Sequence, residues 1–439
     1  MKVGVQRPNP EAKAFRLADE RRVTTFTGAQ LRVVTLYMPD LAQRALEAPP
    51  SPIRKLVPYA NRAKAQGKKV LHLNIGQPDL PTPAEFWEGL QRANITVLDY
   101  TESGGLPAFR EAYARFYTEI YGIPLEARHF LTTTGGSEAL LFAFLTLFAP
   151  EDEVIVIEPT YANYIGLGKA TGVRLRPVES FITEEFALPA PAVLEEALTE
   201  KTRGILLCNP SNPTGKLYSK QEVLQIGDIC RRHGLFLISD ESYRDYCYDG
   251  LEFFSALQIP GGEEFVVVVD TLSKRYSLCG ARVGALISRN TEIIEVALKW
   301  AQARLAPPTL GQIGGIEVLQ LPRRYYDYVR EVFQARRDTL LRGLRSLPGV
   351  VCPAAQGAFY LMPQFPIQDS DAFAQWLLES FDVGGTTVMV APGTGFFTDP
   401  MKGKRLVRIA YVLDTPYLEQ SVEILGAALK AYATVGIEV

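Results

Sequence analysis

The stretch Val266-Val267-Val268-Val269-Asp270-Thr271-Leu272-Ser273-Lys274-Arg275-Tyr276-Ser277-Leu278-Cys279-Gly280-Ala281-Arg282-Val283-Gly284 decides how this chain is read. Four consecutive valines predict a strand buried on both faces, as strands of a parallel sheet are. The apolar run then stops at Asp270-Thr271-Leu272-Ser273-Lys274. Lys274 therefore stands just past a strand end, where open α/β sheets place their ligands. Small hydroxyls flank it, and Arg282 follows in the same segment. A desolvated amine beside another cation has a lowered pKa, which frees its lone pair for a carbonyl. An isolated Ser-Lys in a loop is ordinarily a solvated surface feature, so the rest of the chain decides.

Working outward, strand and helix alternate. Strands are expected over 130–134, 153–158, 173–178, 204–208, 235–239, 265–270 and 283–288, with helices such as 106–121 and 220–232 between them. Near-continuous apolar strands in that alternation predict an α/β fold, a mostly parallel sheet between helices. Upstream, a helix over 58–65 stops at Gly67 and a strand covers 70–75. Thr82-Pro83-Ala84-Glu85 has the N-cap, first-turn proline and glutamate of a capping box. After about residue 290 helices are expected over 291–304, 311–346 with a break near Pro322, 371–381 and 416–433. Strands over 349–352, 358–362 and 406–411 complete a smaller α+β region.

Composition narrows the function classes. A chain of 439 residues is too long for one simple core. Its net charge of -3 leaves no basic excess to neutralise phosphates, so neither a nucleic-acid partner nor an acidic membrane is expected. The five cysteines are scattered without a Cys-x-x-Cys pair, which points to reduced, buried thiols and a cytoplasmic location. His72, His129 and His233 lie far apart, so no metal site and no Ser-His-Asp triad is expected. No signal or transit peptide and no membrane span is expected either.

The strand ends carry the chemistry. Thr134-Gly135-Gly136-Ser137-Glu138 joins a strand to an apolar helix, and glycines at a helix N-terminus offer backbone N–H groups to a phosphate. Asn209-Pro210-Ser211-Asn212-Pro213-Thr214-Gly215 reads as a double turn that aims an amide into a crevice. Asp240 ends the strand before Tyr243, and a half-desolvated carboxylate there needs a cationic partner. In order, the strand ends supply an anion cradle, Tyr161, Asn212, Asp240, Tyr243, Lys274 and Arg282. One ligand uses them all: a pyridine ring with a phosphate arm, a phenolic oxygen, an aldehyde for the lysine and a ring nitrogen for the carboxylate.

With those residues in place, the chain resembles the class I/II aminotransferases, fold-type I pyridoxal-phosphate-dependent enzymes. The general shape is nearest to the aspartate, aromatic and alanine aminotransferases. The resemblance also rests on Gly76-Gln77-Pro78-Asp79, Tyr100 before Gly104-Gly105-Leu106, Gly357-Ala358-Phe359-Tyr360, Pro392-Gly393 and Arg408-Ile409-Ala410. It runs from about residue 70 to 412, and the first fifty or so residues fall outside it. Many members have a serine where Thr271 stands. The organisation expected is an N-terminal arm over 1–50 that packs on another subunit, a small domain over 51–80 and 310–439, and a large cofactor-binding domain over 81–309.

The resemblance implies a role for each residue. Lys274 forms the internal aldimine with pyridoxal 5'-phosphate and shuttles the proton. Asp240 pairs with the ring nitrogen. Tyr243 and Asn212 bond the ring oxygen, and through it they lower the amine's pKa, so that Arg282 becomes a phosphate anchor. Gly136, Ser137, Thr271, Ser273 and Arg282 hold the phosphate, and Tyr161 stacks on the ring. Tyr100 reaches the phosphate of a neighbouring subunit in a homodimer. Arg408, with Gly76, clamps the substrate carboxylate, a planar bidentate task. Arg275 and Arg304 are candidates by charge for a second carboxylate, but each reads better as structural. The implied activity is ping-pong transamination between an L-amino acid, aspartate favoured, and a 2-oxo acid such as 2-oxoglutarate. An aromatic or alanine aminotransferase, or a C–S lyase on the same fold, is the alternative. A transcriptional regulator would need a basic DNA-binding domain that the short, mixed-charge N-terminal region does not supply.

Overall fold

The computed structural model describes residues 20–27, 30–37, 40–46, 48 and 51–434. The chain falls into two compact units, Met1–Ala48 and Pro49–Val439. In the first, β1 (Glu20–Thr27) and β2 (Gln30–Tyr37) pair antiparallel from Glu20↔Tyr37 to Thr27↔Gln30. Of the arm expected over 1–50, residues 1–19, 28, 29, 38, 39, 47, 49 and 50 lie outside the described residues.

The second unit carries the sheet that positions the site. Its strands in chain order are β3 (Lys69–His72), β4 (Phe130–Thr133), β5 (Glu153–Glu158), β6 (Arg174–Glu179), β7 (Thr202–Cys208), β8 (Phe236–Asp240), β9 (Val266–Thr271), β10 (Gly284–Ile287), β11 (Tyr360–Leu361), β12 (Thr386–Met389), β13 (Ala391–Pro392) and β14 (Val407–Ala410). Seven of them form one sheet in the order β4-β10-β9-β8-β7-β5-β6. Strand β10 runs antiparallel to both its neighbours, while the pairings from β9 through β6 are parallel. The start of β10 therefore lies on the same edge of the sheet as the end of β9, where Gly284 pairs with Thr271.

Every residue of β9 is buried, and its valines alternate between two cores. Val266 and Val268 pack on one face with helices Pro107–Tyr121 and Lys220–His233. Val267 and Val269 pack on the other with helices Gly136–Leu147 and Thr291–Arg304. A third core joins the two flanks of this unit. Leu56, Ala60 and β3 pack there with helix Arg323–Arg345, β11, β14 and the last helix, Thr415–Thr434. The break expected near Pro322 separates helices Thr309–Val318 and Arg323–Arg345.

Two local expectations are corrected. Thr82 does not cap the helix Ala84–Arg92; Pro83 is its N-cap, and the Thr82 hydroxyl donates instead to the Ser277 carbonyl at 3.1 Å. A tertiary acceptor has outcompeted the local one. The strand expected over 349–352 is reduced to a single bridge, Val351 with Gln364. Strand β12, which the sequence pattern did not reveal, pairs parallel with β3.

Candidate active site

Lys274 sits in the short helix Leu272–Arg275, directly after β9. Thr271 caps it, its hydroxyl accepting from the Ser273 N–H at 3.2 Å. The Lys274 ammonium donates to the Gly76 carbonyl at 2.9 Å, and the Tyr246 hydroxyl fixes the Lys274 carbonyl at 2.7 Å. The next residue turns away. Arg275 is buried between Asp245, 2.7 Å from Nε, and Asp270, 2.8 Å from its terminal nitrogen. Arg304 bonds the Ser103 carbonyl and pairs with Glu138. Both guanidinium groups are thus committed to structural partners.

Asp240 ends β8 and is buried. The Tyr164 hydroxyl donates to Oδ2 at 2.8 Å; the Ser242 N–H and hydroxyl donate to Oδ1 at 3.2 and 2.6 Å. Burial pushes this carboxyl above its ordinary pKa, and those three bonds oppose the shift. No lysine, arginine or histidine among the described residues pairs with it within 4.0 Å. A ligand with a protonated ring nitrogen would supply that cation. Tyr164 was not singled out in the sequence, although it stands one helical turn after Tyr161. Their rings meet edge-on, 5.4 Å apart.

The anion cradle is built by close approach. Gly135 has φ +75°, and a Cβ there would lie 2.6 Å from a terminal nitrogen of Arg282. Gly136 and Ser137 open the twelve-residue helix Gly136–Leu147, whose free N–H groups and dipole favour an anion. A Cβ at Gly136 would meet Ser242 Oγ at 3.5 Å and Thr271 Cβ at 3.8 Å, so these segments face one small space. Thr271 Oγ1 lies 2.8 Å from Ser273 Oγ. Arg282, itself left-handed at φ +54°, is aimed by bonds to the Thr134 and Cys279 carbonyls, both 3.1 Å. This turn could hold a phosphate.

Arg408, on β14, is almost completely buried, at 1% exposure. It donates to Asn212 Oδ1 at 2.9 Å and to the Asn74 carbonyl at 2.6 Å. Its Nε is buried without a partner. The rings of Tyr360 and Phe396 lie 4.4 and 5.0 Å from the guanidinium carbon. The Tyr243 and Tyr360 hydroxyls share a hydrogen bond of 2.8 Å. Gly76 abuts the Tyr360 hydroxyl so closely that a Cβ there would overlap it. Asn74, Phe396 and Tyr360 had no assigned role in the sequence reading, although Tyr360 lies in a quoted motif. Tyr100 stands apart, 82% exposed.

The sequence model of the aminotransferase class I and II family matches residues 68–425. The chain belongs to that family. It is 30% identical over 393 residues to an aspartate aminotransferase of Bacillus subtilis, covering 87% of this chain and 97% of the relative. Among solved structures, the Thermus thermophilus aspartate aminotransferase with maleate superposes with a TM-score of 0.81 at 28% identity, covering 89% of this chain and 100% of that one. An alanine aminotransferase of Pyrococcus furiosus gives the same TM-score, 0.81, at 28% identity and the same coverage. As a member of the family the protein is a transaminase of fold-type I, and its cofactor is pyridoxal 5'-phosphate. Its substrates are amino acids and 2-oxo acids.

Proposed function

We propose that the cofactor is held at the strand-end edge by Lys274, Asp240, Tyr161, Asn212, Tyr243 and the Gly136–Arg282 cradle, and that Arg408 receives the substrate carboxylate. What supports this above all is that three groups at the strand ends are left with unmet needs. Asp240 is a buried carboxylate without a cation among the described residues, Arg408 has an unpartnered Nε, and the Gly135 turn brings the backbone so close to the Arg282 guanidinium that a Cβ would crowd it. Bound there, pyridoxal phosphate supplies a carbonyl for an amine and an electron-withdrawing ring.

The chain's own residues do the rest. Lys274 would hold the cofactor's carbonyl carbon through Nζ, and its amine is placed to carry the proton of the substrate α-carbon. Asp240 keeps the ring nitrogen protonated. Tyr243, whose phenol is pushed well above its ordinary pKa by burial and by Tyr360, stays a donor to the ring oxygen at neutral pH. Asn212 is the second group facing that oxygen. Gly136, Ser137, Thr271, Ser273 and Arg282 bind the phosphate. Arg408 and Gly76 orient the α-carboxylate, so that donor and acceptor use the site in turn, a ping-pong scheme.

Aspartate as donor is supported by the names of the relatives, and a 2-oxo acid such as 2-oxoglutarate is proposed as its acceptor. A second reading, an aromatic or alanine donor, is favoured by a specific feature. The cavity of about 390 Å³ beside Ser137 and Asn163, reaching Pro52 and Gly395, has no charged residue in its lining. Residues 81–309 would form the large cofactor-binding domain, and 51–80 with 310–439 the small one. Tyr100 would serve a second copy's phosphate in a homodimer. Its exposure supports this, as does the apolar run Ile95, Val97 and Leu98, exposed at 38%, 68% and 58%. The five free cysteines support a cytoplasmic location, and no described helix is long and apolar enough to cross a membrane. A matrix of amino donors and oxo-acid acceptors, read by the cofactor's spectral change, tests the reading. A donor should convert the spectrum, and an acceptor restore it. Lys274→Ala should lose the absorbance band of the lysine-bound cofactor; retention of that band would overturn the assignment. Release of pyruvate and ammonia without an acceptor would indicate the lyase instead.

A further inference from the structure

We propose that Tyr360 is a positioning residue that couples the carboxylate clamp to the phenol at the cofactor's ring oxygen. The inference rests on the site reading above. Tyr360 lies on β11, and its Cα pairs with Ala410 of β14, the strand that also carries Arg408. Its ring stacks against the Arg408 guanidinium, 4.4 Å from ring centroid to guanidinium carbon. Its hydroxyl sits 2.8 Å from that of Tyr243, and its ring meets the Tyr243 ring edge-on at 5.5 Å. The same hydroxyl is packed against Gly76, whose carbonyl accepts from Lys274. One buried side chain therefore touches the carboxylate clamp, the phenol and the glycine that bonds the lysine.

The hydroxyl can either donate to Tyr243 or accept from it. Once Tyr243 donates its proton to a ring oxygen, only one arrangement remains: Tyr360 donates to Tyr243. Hydrogen bonds in series strengthen one another, so this donation makes Tyr243 the better donor. A better donor stabilises the ring oxygen as an anion, which lowers the pH at which the lysine-bound cofactor changes its absorbance. The aromatic face does separate work. It holds the guanidinium flat for a carboxylate by cation–π contact. The two duties belong to different atoms of one residue, and they can be separated by substitution.

Tyr360→Phe keeps the face and removes the hydroxyl. In protein loaded with pyridoxal phosphate, its spectral midpoint should rise by roughly half a pH unit. The Michaelis constant of the best donor should stay within about twofold. Tyr360→Leu removes both functions; the midpoint should rise similarly and that constant should increase roughly 3- to 30-fold. On a Tyr243→Phe background, adding Tyr360→Phe should produce no further shift, because the effect travels through Tyr243. An unchanged midpoint in Tyr360→Phe, or the same shift with Tyr243 absent, overturns the coupling. Retention of the lysine-bound absorbance band in Lys274→Ala overturns the site reading itself and the coupling with it. A wild-type midpoint that Tyr360→Phe leaves in place refutes the coupling alone.

Discussion

Replacing Arg408 with lysine tests the carboxylate clamp while keeping its charge. The guanidinium is buried on β14 and braced by Asn212 Oδ1 at 2.9 Å and the Asn74 carbonyl at 2.6 Å. That bracing fixes the plane in which the remaining N–H groups can meet a carboxylate. A lysine ammonium at the same site is a point charge on a flexible stem and cannot offer two parallel donors. Loss of one charge-assisted bond costs about 1.5–3 kcal/mol. That corresponds to a fall in kcat/KM of about 10- to 150-fold. The fall should be similar for the amino donor and for the oxo-acid acceptor, since both bring a carboxylate to one guanidinium. Steady-state kinetics in both half-reactions measures this, and the absorbance of the lysine-bound cofactor should be retained. If kcat/KM for either substrate stayed within about threefold of wild type, the clamp would lie elsewhere.

Other expectations follow from the same edge of the sheet. Gly135→Ala should weaken pyridoxal phosphate binding, because the new Cβ combines a left-handed φ of +75° with a 2.6 Å approach to Arg282. Strain of about 1–3 kcal/mol makes the loss about 5- to 150-fold in an absorbance titration. Asp240 should leave a pH signature on the cofactor-free protein. Its folded pKa is raised, so between the unfolded and folded values the native state holds more protons than the unfolded one. Stability contributed by this group therefore falls as pH rises through that window. Asp240→Asn should remove that fall, and denaturant midpoints of variant and wild type should diverge in the variant's favour toward neutral pH. Cofactor loading should reverse the order by giving Asp240 its cation. An unchanged difference across that pH range would count against a raised carboxyl.

Much of the site was legible because β-strand ends are marked in a sequence. Lys274, Asp240 and Asn212 each stand at or within a few residues of the end of an apolar run, on the edge of the sheet where the ligand is proposed to bind. Arg282 was legible from its distance to Lys274, although the reason only emerges from β10 running backwards. Direction is invisible in four apolar residues. Tyr164 and Tyr360 were harder. Both are tyrosines within ordinary amphipathic or apolar patterns, and their hydroxyls acquire meaning only from partners far away in the chain, at Asp240 and Tyr243. The same physics undid the capping box at Thr82, where the Ser277 carbonyl captured the hydroxyl. Strand β12 escaped because it is four residues long and pairs with a segment near the other end of the chain. At Ser219, by contrast, which the sequence reading did not single out, the side chain and that of Glu222 cap each other's backbone without a tertiary partner.

The reversed strand β10 has a mechanical consequence. Lys274 and Arg282 are not two independent fixtures. They sit on one tight excursion of chain whose feet, Thr271 and Gly284, are locked opposite each other in the sheet. On the site proposed above, the excursion would work as a ruler set between an aldehyde and a phosphate. Each added residue would lengthen it by up to about 3.8 Å. Register in the sheet could not absorb the change without exchanging the residues that β10 presents to the two cores it packs between. A change in the length of the excursion therefore displaces Lys274 and Arg282 relative to each other, whichever residue is added.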